Sequence, residues 1–462
     1  MTTAVVLGGG FAGVLAATVL ARHAGRVVVV EDDHYPATPA PRRGLPQAHH
    51  SHVLVAGGAA ALETLLPGTL AALYARGAHR RGLSGDTLIL TAQGWYRRCE
   101  TEAYLISCGR GLLDQVVRRR ALDGGAVPVR EGTRAVGLTG DASGVTGVRV
   151  RRGTTEETIP AGLVVDATGR RSQGPRWLAE LGAAPPEEAR VDSGLAYATR
   201  LYRAPARLAA AIPAVMLHPG PDGERPGAGA TLFPIEDDHW IVTLTGTRGS
   251  EPPTDEPGFT RFARSLRDPI IADLMAEAEP AGPIRAYRDT ANRRRFFERT
   301  PPLPGFLAIG DAVVAVNPVH SHGMSVAALS ALRLDAELTR HGPAALPGLQ
   351  AAMAEEAGRS WRMATENDGL RPERAERMTA FERAVRARIT QAALTSPDLA
   401  AEIFRAHTLI PAAPGSPRAL PGKPESPLTA ERAITQYPGL SGWWNARRDS
   451  RELRLVGERH DL

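Results

Sequence analysis

The segment from Ala4 to Glu31 constrains the fold of this chain more than any other. A short apolar run, Ala4 to Leu7, precedes the glycine-rich stretch Gly8-Gly9-Gly10-Phe11-Ala12-Gly13, and a helical pattern and a second apolar strand, Val27 to Val30, follow. Glycines permit a tight turn and close approach of a pyrophosphate, and the following helix start stabilises its charge. The segment therefore predicts a dinucleotide-binding α/β fold. The acidic Glu31 favours the unphosphorylated ribose of FAD or NAD over that of NADP.

A second informative stretch, residues 306 to 331, reads FLAIGDAVVAVNPVHSHGMSVAALSA. The pattern predicts a short strand, a turn at Gly310-Asp311, a passage through Asn317-Pro318 and a helix that opens at Gly323-Met324. Free backbone N–H groups at a helix start can bind an anion or an electron-rich oxygen. Spacing alone leaves two interpretations open. The segment is either a binding site for an anion or an electron-rich oxygen, or a strand, loop and helix that only pack for stability.

Composition narrows the class of protein. A length of 462 residues suggests two or three domains, and 55 basic against 50 acidic residues give a formal charge of +5, too small an imbalance to indicate nucleic-acid binding. Only two cysteines occur, and no apolar run has the length of a membrane span. A chain that starts directly with a strand carries no signal-peptide pattern. We expect a cytoplasmic protein without an integral membrane span.

Histidines cluster after the second strand, at His49, His50 and His52, and follow Arg42 and Arg43. Clustered histidines suggest zinc, but no cysteine or carboxylate set with ligand spacing accompanies them. The favoured interpretation is an arginine and histidine loop that lies over a cofactor, and no metal site is predicted.

Two later patterns complete the organisation. Residues 163 to 170 read LVVDATGR, an apolar strand that ends in a sharp turn after Asp166. From Ala184 onward, apolar and polar residues alternate in several short runs up to Thr245, which predicts one broad antiparallel sheet with one buried face. Helical spacing dominates from about Leu329 to His407, and a proline-rich connector leads to a tail that contains Trp443-Trp444 and packs on the body or on another subunit.

Three separated signals stand in one order: GGGFAG with Glu31, DATGR at 166 to 170, and IGDAVVAVNP with HGM at 309 to 324. Together they resemble the FAD-dependent monooxygenases of the aromatic hydroxylase superfamily, especially bacterial members close to polyether-pathway polyene epoxidases. The resemblance covers roughly residues 3 to 340.

The resemblance implies an α/β fold with a three-layer, Rossmann-like FAD-binding domain, an inserted antiparallel-sheet substrate domain and a helical C-terminal region. The corresponding bounds are 1–82, 105–175 and 295–345 for the FAD-binding domain and 83–104 and 176–294 for the substrate domain. Residues 346–462 form the helical region, with the connector at 411–427.

The resemblance also implies cofactor-binding residues. Those of the N-terminal part are Gly8, Gly10 and Gly13 at the FAD pyrophosphate, together with Phe11 and Ala12, then Glu31 on the adenosine ribose with Asp32 beside it, and Arg42, Arg43 and Arg110 along the cofactor. Those of the later part are Asp166 in a turn that serves cofactor binding, Asp311 after Gly310 at the ribityl chain, Pro318, and the Gly323 and Met324 amides at the flavin pyrimidine edge.

The chemistry of a flavin agrees with such a helix start. Reduced flavin carries negative charge near N1 and C2=O, which helix-start amides stabilise. Reduced flavin with O2 gives a C4a-hydroperoxide with an electrophilic distal oxygen, and the protein mainly positions substrate and excludes water. The prediction is insertion of one oxygen atom, by epoxidation or hydroxylation, into a large apolar or polyketide-like metabolite of secondary metabolism, such as antibiotic biosynthesis. NADPH or NADH would supply electrons directly or through a separate flavin reductase.

One departure from the family pattern concerns His320-Ser321-His322. Close relatives commonly have Tyr, Gly and Gln between NP and GM. Two imidazoles near the flavin suggest tuning of its potential or proton movement, and these histidines are the candidate catalytic residues. The alternative is that they are outward-facing loop residues.

Three other functions compete with the monooxygenase. Flavin-dependent halogenases share the fold but need a lysine in the N-terminal half, and the only lysine here is Lys423. A prenyl-chain reductase would use the same cofactor frame to add hydrogen to alkenes. A non-catalytic flavin-fold protein that binds a lipid-like ligand is the third alternative.

Overall fold

The computed structural model describes residues 3–220, 227–367, 379–411 and 427–448. The chain divides into two compact units, each assembled from separate segments. Unit one comprises Met1–Arg76, Gly109–Gly194 and Asp289–Met378, and unit two comprises Gly77–Cys108, Leu195–Arg288 and Thr379–Leu462.

A five-stranded parallel sheet forms the centre of unit one. Its strands, in spatial order, are Phe306–Ala308, Leu163–Asp166, Thr3–Leu7, Arg26–Val30 and Val129–Arg130. The central strands are near-continuous valine and leucine runs and almost entirely buried, as parallel strands covered on both faces usually are. Because Leu7 lies opposite both Val30 and Asp166, the segments that follow these strands leave the sheet at one edge.

Helices and two small antiparallel sheets complete unit one. The helices are Phe11–Leu20, Ala56–Leu65, Thr69–Tyr74, Arg110–Leu122, Gly174–Glu180, Gly323–His341 and Leu349–Asn367. Short 3-10 helices lie at Pro46–His49, Gly169–Arg171, Phe297–Arg299, Gly310–Ala312, Pro318–His320 and Gly342–Gly348. One small sheet contains Arg134–Asp141, Gly144–Arg152 and Thr155–Pro160, and the other contains Glu188–Val191, Asn292–Arg295 and Val314–Ala315.

Three short segments of unit one are difficult to assign from the sequence. Val129–Arg130 joins the parallel sheet by pairing with Val29 and Val30. Thr155–Pro160 forms the edge strand of the first small sheet and is almost entirely exposed, so it has no hydrophobic pattern. Val53–Val55 is a short strand that leads directly into the helix beginning at Ala56.

Unit two is built on an eight-stranded sheet. Its strands are Glu279–Pro280, Ala196–Arg203, His239–Gly246, Ala228–Ile235, Ala214–Leu217, Thr87–Thr91 and Gly94–Trp95 in spatial order, with Arg285–Tyr287 also pairing Ala196–Arg203. All neighbours are antiparallel except Ala214–Leu217 and Thr87–Thr91, which are parallel. A separate antiparallel pair joins His79–Gly82 to Tyr104–Ser107.

The core of unit two lies on one face of this sheet. Trp240 and Phe259 are fully buried there, with the helices Glu256–Arg264 and Ile270–Met275. The remaining described helices are Ala380–Ala393, Pro397–His407, Ala430–Ile434 and 438–448. Ile434, Tyr437, Leu440 and Trp443 belong to the same core, so the C-terminal tail packs on its own unit. Residues 412–426 of the predicted connector lie outside the described residues.

The observed architecture confirms the predicted fold class: a parallel-sheet α/β core, antiparallel sheets and C-terminal helices. The division between units differs in detail from the predicted domain bounds. Glu188–Val191 pairs with Asn292–Arg295, which keeps both segments in unit one. The residues after 345 are shared between both units rather than forming a third. Among the described residues, no helix combines the length and the apolar character that crossing a bilayer requires.

Candidate functional site

The edge of the parallel sheet brings the three sequence motifs together in unit one. Backbone hydrogen bonds connect the segments that follow the strands: Gly8 N–H donates to Val30 C=O (2.8 Å), Ala167 N–H to Leu7 C=O (2.9 Å) and Ile309 N–H to Asp166 C=O (2.9 Å). Such an edge is where open α/β sheets bind ligands. The motifs that are far apart in sequence are therefore neighbours in the fold.

The first glycine-rich turn has steric reasons for its glycines. Gly8 has φ +91°, and a Cβ there would lie 2.7 Å from the Ala167 carbonyl oxygen. A Cβ on Gly13 would lie 1.8 Å from the Gly8 carbonyl oxygen, so helix and strand can approach only without it. Gly10 differs, because a Cβ there would fit: the nearest described atom is Arg42 Nη2 at 3.8 Å. Open space therefore lies in front of the helix Phe11–Leu20.

Glu31 holds this turn from the next strand. One carboxylate oxygen accepts from Gly9 N–H (2.6 Å), and the other accepts from Asp33 N–H (2.8 Å). Arg42 Nη1 lies 3.3 Å from the same carboxylate, and its side chain is only 5% exposed. Arg42 Nε is buried and has no hydrogen-bond partner among the described residues. A buried donor of this kind is costly unless a ligand or water satisfies it.

Tyr35 is a member of this site that sequence reasoning missed. Its hydroxyl donates to the Gly9 carbonyl (2.9 Å), and the guanidinium carbons of Arg118 and Arg42 lie 4.4 and 5.2 Å from its ring centroid. Burial, and then the charge of Glu31, raises the pKa of Tyr35. No spacing rule marks an aromatic residue in a loop, although the arginine run that contains Arg118 was a usable signal.

Asp32 and Arg43 do not join these contacts. The Asp32 carboxylate accepts from Arg134 Nη2 (2.8 Å) and Nε (3.0 Å) at an exposed position. The Arg43 side chain is exposed. Their predicted cofactor contacts therefore stay predictions without support from neighbouring geometry.

Arg110 and the histidine loop lie close to each other. Arg110 is the first residue of the helix Arg110–Leu122, and its Nε donates to Asp114 (2.8 Å). Burial, and then the charge of Arg110, lowers the pKa of His52 to about 3, and its ring Nδ1 lies 2.8 Å from the His50 carbonyl oxygen. Burial likewise lowers the pKa of His50 to about 4. Both rings are neutral near pH 7, and the described residues contain no group of three side chains placed to hold a metal.

Asp166 has a local role in the structure. It is fully buried, and one oxygen accepts from the Thr168 N–H (3.0 Å) and the Thr168 hydroxyl (2.6 Å), while the other accepts from the Ser172 hydroxyl. These bonds shape the turn that carries Ala167 and Gly169 to the sheet edge. Its predicted cofactor role stays a prediction, and in this geometry the carboxylate bonds within the turn.

Gly310 and Asp311 connect the later motif to the first helix. Gly310 has φ +65°, and a Cβ there would lie 2.7 Å from Ala12 Cβ. Asp311 Oδ1 is 3.5 Å from the position of a Cβ on Gly323. Burial raises the pKa of Asp311, and the charges of Arg170 and Arg110 partly offset that rise. Asp311 thus lies between the first helix start and the second.

The helix Gly323–His341 begins beside this carboxyl. Its N-cap residue, His322, makes no side-chain capping bond within the described chain, and its first turn contains no acidic residue. Met324 is buried, and Ser325 Oγ accepts from Val55 N–H (3.2 Å), which fixes the start of the helix. Pro318 is half-buried in the short helix that leads into it. The amides of the first turn remain available for an anionic ligand.

His320 and His322 are both buried, which contradicts the outward-facing alternative. Their exposures are 5% and 0%, and their ring centroids lie 6.4 Å apart. Ser321 between them has a left-handed backbone (φ +59°), and this turn carries the chain from the short helix Pro318–His320 to the long one. His322 Nδ1 lies 3.1 Å from Ser360 Oγ, on the helix Leu349–Asn367. Ser360 was not predicted, since nothing in the sequence relates it to the motif.

Comparison with known proteins identifies the family. The family model for an FAD binding domain matches residues 1–367. The chain belongs to the FAD-binding domain family. A relative, Protein Rv3254 of Mycobacterium tuberculosis, is 33% identical over 346 residues, which are 71% of each chain.

Solved structures of similar fold have different activities. The p-nitrophenol 4-monooxygenase PnpA of Pseudomonas putida matches with a TM-score of 0.64 at 17% identity over 89% of this chain and 99% of that one. PqsL of Pseudomonas aeruginosa, in complex with 2-aminobenzoylacetate, has a TM-score of 0.63 at 18% identity over 84% and 99%. The flavin-dependent brominase Bmp2 has a TM-score of 0.61 at 16% identity over 88% and 94%. These similarities concern the fold and do not decide among reactions.

The geometry of unit one fits the cofactor that the family implies. An open helix start at Gly10, beside the buried and unsatisfied Arg42 Nε, suits a pyrophosphate. The second uncapped helix start, at Gly323, suits the electron-rich edge of a ring. The two lie on either side of Gly310 and Asp311, as one elongated ligand requires.

Proposed function

We propose that this protein is an FAD-dependent monooxygenase that inserts one oxygen atom from O2 into a large apolar metabolite by epoxidation or hydroxylation. The observation that carries the proposal is the uncapped start of the helix Gly323–His341 beside Asp311, at the same sheet edge as the glycine-rich turn. Membership of the FAD-binding domain family supports it.

Each part of the site has a proposed task. The Gly8 to Gly13 turn and Arg42 bind the pyrophosphate, and Glu31 accepts from the adenosine ribose while it holds the turn. Asp311 binds the ribityl chain through its carboxyl, whose pKa is raised by burial. The Gly323 and Met324 amides face the pyrimidine edge of the ring and stabilise negative charge there.

When bound, FAD supplies the redox and oxygen-activating chemistry. The residues of this chain orient the ring, and His322 with Ser360 fixes the residue that precedes the helix start. Because both side chains are fully buried, we propose that His322 positions the Gly323 amide. His320 stays a candidate for holding a proton near the ring.

Unit two supports an apolar substrate. On the sheet face opposite its core, a row of paired residues runs through Thr199, Thr243, Thr231, Met216 and Ile89. Small hydroxyls among apolar side chains are typical of pockets for large apolar molecules with few polar groups. The substrate class we propose is a polyketide-like metabolite of secondary metabolism.

Purified protein tests the proposal through its visible spectrum. FAD-loaded protein is mixed anaerobically with NADPH or NADH, or with a flavin reductase, and bleaching is recorded before air is admitted. Bleaching by NADPH or NADH alone indicates direct reduction, and bleaching that needs the reductase indicates a two-component system. With an apolar polyene substrate, labelled dioxygen should place one labelled atom in the product.

Four outcomes contradict the proposal. Conversion of an alkene without oxygen would indicate a reductase. Tight binding of an apolar ligand with no oxygen consumption under any electron donor would indicate a carrier. Failure to bind added FAD would remove the flavin site altogether. Halide-dependent product would indicate a halogenase, for which the only lysine, Lys423, lies outside the described residues.

A further inference from the structure

The helix Ala380–Ala393 in unit two exposes an apolar stripe. Phe381 is 77% exposed, and Val385 and Ile389 are each 39% exposed. Residues four apart in a helix lie above one another, so these three side chains form one continuous stripe about two turns long. Single exposed apolar residues need no explanation, but three in helical register mark an interaction surface.

The opposite arc of this helix is the more buried one, although it is polar. Its half-buried residues are Glu382, Arg386, Ala387 and Thr390. A helix on a globular protein normally turns its apolar stripe inward. In this helix the polar arc is the half-buried one and the apolar stripe is exposed, so the stripe is available to a binding partner.

The fold holds this helix without using the stripe. Thr379 and Glu382 form a capping box at its N-terminus. At its other end Ala392, Ala393 and Leu394 are buried, and the Leu394 carbonyl accepts from Arg97 N–H (3.0 Å). Phe381, Val385 and Ile389 are therefore not needed to anchor the helix.

Charge indicates what the stripe binds. The helix carries three arginines, Arg383, Arg386 and Arg388, and one acidic residue, Glu382. On a helical projection Arg388, which is exposed, lies along one margin of the stripe, where its long side chain can extend to a polar boundary. Pairing of two copies through the stripe would bring the Arg388 side chains of both copies to the same interface, which disfavours self-association. A negatively charged surface is favoured instead.

We propose that the helix Ala380–Ala393 docks this protein onto anionic lipid surfaces. Phe381, Val385 and Ile389 enter the boundary between headgroups and acyl chains, and Arg388 contacts a lipid phosphate. An exposed apolar stripe bordered by a basic residue on a capped helix has the features of an interfacial helix. The inference stands on the helix alone and is independent of the proposed oxygenation.

Vesicle flotation tests this inference with the full-length, FAD-loaded protein. Phosphatidylcholine vesicles that contain phosphatidylglycerol should carry the protein upward, and pure phosphatidylcholine vesicles should carry much less. Phe381→Ser combined with Ile389→Ser should lower the partition coefficient at least about tenfold, because two apolar side chains lose their burial. The matched control is Leu201→Ser, an apolar residue of the same unit that is 36% exposed.

Arg388→Gln separates the two contributions. It should weaken binding to phosphatidylglycerol vesicles and leave the small binding to pure phosphatidylcholine unchanged. Absence of binding at low ionic strength, or an equal loss in Leu201→Ser, overturns the proposal. Light scattering that shows a dimer in the parent and a monomer in Phe381→Ser would assign the stripe to a second copy instead of a lipid. Thermal unfolding of each variant should match the parent, since the altered residues are exposed.

Discussion

The two helix starts of unit one look alike in sequence but are built differently. The helix Phe11–Leu20 follows glycines that touch backbone, and Glu31 and Arg42 place two charges beside it. At the start of Gly323–His341, a Cβ on Gly323 would meet only Asp311 Oδ1, in ordinary contact at 3.5 Å. A buried histidine and serine pair supports that start from behind. The first start is held by close backbone packing at Gly8 and Gly13 and by two charges, and the second is held by side-chain packing.

This difference matches the different charge behaviour of the two parts of a bound FAD, the pyrophosphate and the flavin ring. A pyrophosphate carries fixed charge, so a rigid turn with a fixed arginine is adequate for it. A flavin ring changes its charge during turnover. Backbone amides at a helix start carry only partial positive charge, so they can accommodate both the oxidised and the reduced ring. Substitutions at the first start should abolish binding, and those at the second should alter redox behaviour with FAD still bound.

Gly13→Ala should have the largest effect. The new Cβ would lie 1.8 Å from the Gly8 carbonyl oxygen, where backbone on both sides prevents relief. We expect a loss of about 3 kcal/mol or more in unfolding free energy and no retained flavin absorbance. Denaturant unfolding and the absorbance of the purified protein measure the two effects.

Gly323→Ala is the matched change at the other helix start. Its Cβ would meet nothing among the described residues closer than 3.5 Å, so the variant should fold and retain FAD. A change in the midpoint potential of the bound flavin is the expected result. Equal loss of flavin in both alanine variants would erase the proposed distinction between the two starts.

Glu31→Gln should have the next largest effect. Each carboxylate oxygen of Glu31 accepts a backbone N–H, and Arg42 lies 3.3 Å away. An amide keeps one acceptor, turns a donor toward another N–H and leaves the arginine without its charge partner. The FAD dissociation constant should rise about tenfold to a hundredfold, a cost of roughly 1.5 to 3 kcal/mol. Fluorescence titration with FAD measures it, and Asp32→Asn, at the exposed ion pair with Arg134, is the control that should change little.

Much of the fold around the two helix starts could be predicted from the sequence. Residues 4 to 31 carry a local pattern of strand, glycine turn, helix and acidic residue. This pattern predicts an α/β fold, and the structure confirms it. Buried strands with near-continuous apolar runs are typical of parallel sheets, and the structure places Asp166 and Asp311 at or just after the ends of two such strands.

Other features depended on tertiary contacts and were missed. Tyr35 and Ser360 act through partners distant in sequence, and a single chain carries no signal for such pairs. Asp166 and Glu31 both end a strand before a turn, yet only Glu31 faces the open turn. Which way a carboxylate turns depends on the local hydroxyls, here Thr168 and Ser172, rather than on the motif.

Ser360→Ala tests the support behind the open helix start. It removes the hydroxyl that His322 Nδ1 contacts at 3.1 Å in a fully buried position. We expect about 1 kcal/mol less stability and a slower flavin reduction with FAD still bound. The control is Thr365→Val on the same helix, which removes a hydroxyl that donates to the Trp361 and Arg362 carbonyls of that helix. A reduction rate that falls equally in both variants would assign the effect to the helix rather than to His322.

The loop beside Arg110 should show no effect at neutral pH and an effect on stability only on acidification. Burial lowers the pKa of His52 to about 3 from an unfolded value of 6.5, so below that value the unfolded chain binds a proton that the folded chain does not. Stability should therefore be complete above pH 6.5 and fall as the pH drops towards 3, by at most about 1.4 kcal/mol per pH unit from this ring. His52→Asn keeps a donor for the His50 carbonyl but does not titrate, so unfolding curves should coincide with the parent above neutrality and fall less steeply below pH 6. An unchanged acid slope in His52→Asn would mean that this ring is already solvated and charged in the folded protein.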